Sequence, residues 1–256
     1  MRIFRFEKNE AHRLEAIKRQ EIYLSCPENF NDLDDCRIQG ISSLAHDVHL
    51  HEKISNCVDI LYPKNEDGHF PLPSNILNSL KEIIENFPSS DGSFDNELRR
   101  SLYRNYNVMQ IRSFLRENTG VCCFFKDQPK HPLMWAHYAN SHTGFCVEYE
   151  IEEISSPFYE VNYTSRLPSP SINELLFCPA ESFIRILTTK ALEWSYEKEI
   201  RFLLLNALSS GESGKLVSLP SIIRPVRLIK GAKFDNAENR ELIQSLDLET
   251  VFYKSM

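Results

Sequence analysis

The stretch from Thr119 to Glu150, TGVCCFFKDQPKHPLMWAHYANSHTGFCVEYE, constrains the fold most, because its residue pattern changes period twice within one short run. Val121-Cys-Cys-Phe-Phe is an apolar run between Gly120 and the turn signal Lys126-Asp-Gln-Pro, which predicts a buried strand ending in a turn. Pro132 then opens a helix, at a position where a missing N–H does no harm. Trp135 and Tyr138, three apart, share one face of that helix, and His137, four beyond Leu133, stands on the neighbouring face. The helix stops near Ser141-His-Thr-Gly144. From Gly144 the period is two: Phe145, Val147 and Tyr149 point one way and Cys146, Glu148 and Glu150 the other. A helix carrying Trp, His and Tyr between two strands is the densest polar-aromatic cluster of the sequence, and it marks where a site should lie.

The rest of the chain surrounds this unit without regular βαβ alternation. A strand is predicted over Ile3 to Phe6, then an amphipathic helix from Asn9, as its cap, to about Arg19, with Leu14 and Ile17 inward. A second strand covers Ile22 to Ser25. In the loop that follows, Asp32, Asp34 and Asp35 are of a type that gathers a cation, but Asn31 and Asp32 equally suit a turn in which side chains bond nearby amides. Residues from about 40 to 117 read as a mostly helical insertion into a single domain spanning 1–256. His46, His49 and His51 within it lack the His-x-x-x-His spacing of helical zinc sites. Further strands are expected over Phe158 to Tyr163, Lys215 to Leu219, Ile223 to Ile229 and Thr250 to Tyr253, with a helix interrupted at Pro179 and another from Asn236 to Ser245. If Tyr196 to Leu205 is a strand, Glu197, Glu199 and Arg201 line one face of it, as a site or as a solvent-facing ladder. The expected fold class is α+β, with a mixed, largely antiparallel sheet.

Composition narrows the function classes. A formal net charge of −7 over 256 residues argues against bulk nucleic-acid binding, with Arg99, Arg100, Arg104, Arg112 and Arg116 the nearest thing to a basic patch. Seven cysteines without a Cys-x-x-Cys pair suit reduced thiols in a core rather than disulfides or a zinc site. The charged opening MRIFRFEKNEAHRLEAIKRQ is no signal peptide, and no apolar run reaches the length of a membrane span. The expectation is therefore a cytoplasmic protein with a small-molecule or nucleotide ligand.

FNDLDD at 30–35, MWAHYA at 134–139, GFCVEYE at 144–150 and WSYEKEIRF at 194–202, in this order, resemble a widespread bacterial family defined only as a domain of unknown function. Its pattern runs Phe-Asn-Asp-Pro-Phe-Asp, Met-Trp-x-His-Tyr-Ala, Gly-x-Cys-x-Glu and Trp-x-Tyr-Glu-x-Glu-x-Arg. The resemblance covers Phe4 to about Lys233; Leu33 and Asp34 replace the usual Pro-Phe, and Phe125 stands where a Ser is common. It implies a site built from Trp135, His137, Tyr138, Glu148, Glu197, Glu199 and Arg201.

A more distant likeness is to ADP-ribosyltransferases, which place an Arg or His on an early strand and a Glu-x-Glu at a late one. Here Arg5 and Glu197-Lys-Glu199 occupy similar places, although the central Ser-Thr-Ser motif is missing. What this likeness implies is an NAD-cleaving or ADP-ribosyl-transferring enzyme. Its catalytic residues would be Glu199, Glu197, His137 and Tyr138, and NAD would be held by Arg5, Trp135, Arg201 and Glu148. A fixed carboxylate suits the oxocarbenium-like transition state of glycosidic cleavage. Two alternatives stand beside it. One is a hydrolase in which Asp32, Asp35, Glu148, Glu197 or Glu199 ligates Mg²⁺ and His137 moves protons. The other is a binding module without chemistry. Cys122 and Cys123, in a strongly apolar run, read as structural thiols.

Overall fold

The computed structural model describes residues 1–32, 34–39, 119–126, 129–170, 174, 179–205, 207–209 and 211–253. The expected insertion, the three insertion histidines and the arginines between 99 and 116 lie outside the described residues.

In chain order the elements are β1 (Arg2–Glu7), α1 (Ala11–Lys18), β2 (Glu21–Ser25), β3 (Gly120–Phe125), α2 (Pro132–Tyr138), β4 (Phe145–Ile151), β5 (Phe158–Glu160), β6 (Asn162–Thr164), α3 (Pro179–Leu187), β7 (Thr189–Ala191), β8 (Glu199–Leu204), β9 (Gly214–Ser218), β10 (Ile223–Lys230), α4 (Arg240–Gln244) and β11 (Glu249–Phe252). Nine strands join in one sheet, and β6 and β7 make a small second one. The β10–β11 and β6–β7 pairs are parallel and the others antiparallel, so the fold is α+β with a mixed, largely antiparallel sheet, as the sequence predicts. Among the described residues no helix is long and apolar enough to cross a membrane.

β3 is the centre of the sheet. One edge pairs with β8 along its whole length, from Gly120↔Leu204 to Phe125↔Glu199. The other edge meets two strands, one at each end: Phe125 pairs with Phe4 of β1, and Val121 with Ser25 of β2. Between those points β1 and β2 part, because each is held in full register by its outer neighbour. β1 is zipped to β4 from Arg2↔Glu150 to Glu7↔Phe145, and β2 to β9 from Glu21↔Ser218 to Ser25↔Gly214. Strand twist then carries the two arms apart and leaves a fork in the sheet.

Period-two alternation sorts the core onto the two faces. Ile3, Phe124, Val147, Tyr149, Ile200 and Phe202 pack with Leu14 and Ile17 of α1 and Ile243 of α4. Phe4, Phe6, Phe125, Cys146 and Ile229 pack on the opposite face with Met134 and Trp135 of α2. Each fully buried large apolar side chain contributes about 1.5–3 kcal/mol, so α1 and α2 are fastened to the sheet chiefly by these anchors. Behind α2 the backbone turns through left-handed Asn140, Ser141 and His142. Gly144 follows where a Cβ would collide with the Glu7 carbonyl oxygen, so this close approach to β1 requires glycine.

Several boundaries differ from the sequence reading. The expected strand over 158–163 is two strands, because at Val161 the chain changes partner: its N–H donates to Glu199 O, and that of Asn162 to Thr188 O. The helix expected from Asn236 is confined to Arg240–Gln244, after left-handed Asn239. Asn9 does not cap α1; Glu10 holds that position, and Asn9 bonds instead to Glu238 and Asn239. Leu192–Glu197 is a 3₁₀ turn ended by left-handed Lys198, so β8 starts at Glu199 rather than Tyr196.

Candidate functional site

The inward row of β8 carries Glu199 and Arg201 on the face shared with α2, and both are buried. Arg201, 0 % exposed, donates from Nε to Glu199 Oε1 at 2.7 Å, from Nη2 to Asp35 Oδ2 at 2.7 Å and from Nη1 to the Leu187 carbonyl at 2.6 Å. Lys190, buried on β7, donates to Glu199 Oε2 at 3.1 Å and to Glu197 Oε2 at 2.7 Å. The Tyr138 hydroxyl donates to the other oxygen of Glu197 at 2.5 Å. Glu197 stands in the 3₁₀ turn before β8, yet Lys190 holds it beside Glu199. The backbone N–H of Glu199 is itself bonded to the Tyr163 hydroxyl at 2.8 Å, which fixes the start of β8.

Three buried carboxylates, Asp35, Glu197 and Glu199, thus face two buried cations, Lys190 and Arg201. A net buried charge is costly, so a proton is drawn to the least well-paired carboxylate. Burial pushes the Glu197 carboxyl up to about 7, against the pull of Lys190 and with the charge of Glu199 adding to the rise. Burial would raise Glu199 too, but Arg201 and Lys190 outweigh it and hold that carboxyl well below its usual range. Two carboxylates on one lysine are therefore driven to opposite protonation states, the environment that separates an acid–base group from a permanent charge.

The cluster forms the floor of a cleft of about 440 Å³ that opens at the fork of the sheet. Asp35, Cys123, Tyr138, Lys190 and Glu199 reach it from below, while Arg5, Glu7, Arg13, Tyr23 and His137 stand around it. Arg5 straps the fork: its guanidinium bonds to Glu7 on its own strand and to the Cys122 thiol on β3. Glu7 also accepts from Arg13 of α1. Burial alone would raise the Glu7 carboxyl, but Arg5 and Arg13 overcome it and hold the group below its usual range. Burial pushes the Cys122 thiol up to about 12, which makes it a structural partner of Arg5 rather than a nucleophile.

Of the residues the sequence singles out, Glu199, Tyr138, His137 and Arg5 line this cleft, and Glu197 and Arg201 lie directly beneath it. Trp135 and Glu148 are elsewhere. Trp135 is fully buried edge-on to Phe6, with its N–H on the Pro129 carbonyl, so it offers no face to a ligand. Glu148 pairs across strands with Arg2 and Arg227. The aspartate loop divides its duties. Asp32 accepts from the Asp34 amide at 2.9 Å, as a turn residue does, and Asp34 pairs with Arg37, whereas Asp35 enters the cluster. Among the described residues no group of His, Cys, Asp and Glu is arranged to hold a metal ion. Sequence reasoning missed Lys190 and Tyr163. The signal for Lys190 was a lone cation in the otherwise uncharged run Ile186-Leu-Thr-Thr-Lys-Ala-Leu, a place where a lysine is buried only if paired.

No curated protein and no solved structure matches the chain. Residues 134–202 match the model of a family described as a protein of unknown function, DUF2971, and that span runs from the first residue of the MWAHYA motif to the middle of β8.

Proposed function

We propose that the chain breaks the nicotinamide–ribose bond of an NAD-type dinucleotide in the cleft at the sheet fork. The observation that carries this reading is the charge count of the floor: three carboxylates against two cations, at the end of a cleft whose rim is cationic. Once Glu197 has lost its proton the floor holds one negative charge in excess. The reaction develops positive charge on the ribose as the C1′–N bond breaks and its electron pair passes to the nicotinamide ring nitrogen. A carboxylate kept ionised by Arg201 and Lys190 stabilises that charge without reorganising. Water or an acceptor hydroxyl then adds to C1′. Its proton passes to the Tyr138 oxygen as Tyr138 gives its own to Glu197, a group poised near neutral pH for this exchange. In this reading Arg5 and Arg13 take the diphosphate, and the Tyr138 and His137 rings take the nicotinamide.

Metal-assisted hydrolysis fits less well, because a dication would have to displace Lys190 and Arg201 from carboxylates they already neutralise. The full engagement of Glu199 does favour one other reading, a module that binds the same ligand without cleaving it. The test is release of nicotinamide from NAD by the purified protein. The expected result is turnover in the wild type and a loss of about 10²–10³-fold in Glu199→Gln, which keeps the shape of the cluster. In the wild type, kcat/KM should rise as pH passes through about 7, and Glu197→Gln should lose that rise. Ligand binding without turnover would leave the module, and neither binding nor turnover would sink both.

A further inference from the structure

A second cavity, of about 400 Å³, lies against the first and shares Arg5, Glu7, Arg13 and Tyr23 with it. Its own wall is of another kind. Ala16 and Ile17 of α1, Ile22 of β2 and Leu216 of β9 make an apolar surface beside the Tyr23 ring. Tyr149, 3 % exposed and set edge-on to Phe124, also lines it, with Arg5 as its charged neighbour. A phenol in the wall of an otherwise apolar chamber is a specificity element for a polar edge that enters it.

The two cavities meet at a cationic hub. Arg5 bonds through Nε and Nη1, and Arg13 through Nε and Nη1, which leaves Nη2 of each guanidinium uncommitted among the described residues. Two guanidiniums around the single carboxylate of Glu7 suit an anion with several oxygens. Either chamber falls in the size range of a small-ligand pocket, and each is large enough for one nucleoside.

We infer that the second cavity takes the distal base and ribose of the dinucleotide, so that one ligand threads the fork with its diphosphate at Arg5 and Arg13 and its two nucleosides in separate chambers. This rests on the proposed function for the identity of the other half. The base lies on the Tyr23 ring against Leu216, with its polar edge at Tyr149. The ligand class is a nucleoside diphosphate with a second group on the far phosphate.

Titration calorimetry with ADP, nicotinamide mononucleotide and NAD tests this on the wild type and on Leu216→Glu. Leu216 is 43 % exposed on an edge strand and away from the ionic cluster, so the fold survives the change. The expected result is saturable ADP binding, weakened about tenfold or more in Leu216→Glu along with that of NAD, while nicotinamide mononucleotide stays within about twofold. Absence of ADP binding, or an ADP affinity unmoved by Leu216→Glu, overturns the assignment. Nicotinamide release answers the other question separately. A protein that binds ADP in a Leu216-dependent way but releases no nicotinamide keeps the second chamber and loses the chemistry. One that cleaves NAD with no effect of Leu216→Glu keeps the chemistry and loses the chamber.

Discussion

Two arginine–carboxylate networks cross this sheet, built from the same residue types on alternating strand positions. On β8, Arg201 and Glu199 sit with Asp35 and Lys190 in a buried cluster. On β1, β4, β10 and β11, Arg2, Arg224 and Arg227 form a ladder with Glu148, Glu150 and Glu249. The second network is half-exposed, with the Arg227 side chain at 41 %. Water screens each of its pairs, and the flexible side chains give up entropy to hold one geometry. In the first network the side chains are buried and every carboxylate is held by Lys190 or Arg201, so the charges act through a lower local dielectric. Strand alternation gives both rows the same appearance; what covers them decides which is buried and which is screened.

The sharpest way to break this contrast is Arg201→Ala, which leaves Glu199 and Asp35 buried without their common partner. A cost of about 3–5 kcal/mol in urea unfolding is expected, and a cost near that of a surface pair would mean that the cluster is already hydrated. Next comes the proton on Glu197. Its folded-state carboxyl is raised from the usual 4.5 to about 7, so the folded protein binds this proton more tightly than the unfolded chain does. That contribution, about 3 kcal/mol, is whole below pH 4.5 and is lost as pH rises to about 7. Melting curves across this range should show the loss in the wild type and its absence in Glu197→Gln; equal slopes in the two proteins would remove Glu197 as the odd proton. The smallest effect belongs to Arg227→Ala, about 0.2–1 kcal/mol and fading in molar salt. A larger, salt-insensitive cost there would erase the distinction between the networks.

Much of this is legible in the sequence. The strand, helix and strand around MWAHYA follow from period and from Pro132, and they appear where expected. Tyr138 and Glu199 were legible as candidates from their spacing, and the structure brings both to the one cleft. Trp135 and Glu148 carried the same local signal and belong elsewhere. Helical spacing puts Trp135 on a face with Tyr138, but cannot tell that Phe6 and Tyr253 close over its ring. Glu148 alternates correctly along β4, and only the neighbouring strands reveal Arg227 opposite it and Arg2 on the diagonal. Lys190 was hidden for a different reason, and Asp35 was legible as a cation ligand but not as a partner of Arg201. Lys190 stands on β7 with the 3₁₀ turn Leu192–Glu197 between it and β8, and Asp35 reaches Arg201 from 166 positions away, so neither pairing leaves a periodic trace.

The fork itself has a mechanical meaning. The β1 arm and the β2 arm each touch β3 through a single register pair, while each is zipped along its length to its own outer strand. A change in the angle between the arms therefore leaves every ladder within an arm intact and strains only two bridges and the packing of Leu14 and Ile17 beneath α1. Stiffness is concentrated in the arms and compliance at their joint. The molecule is built like tongs pivoted on β3, with Arg5 fastening the β1 arm to Cys122 of the pivot strand.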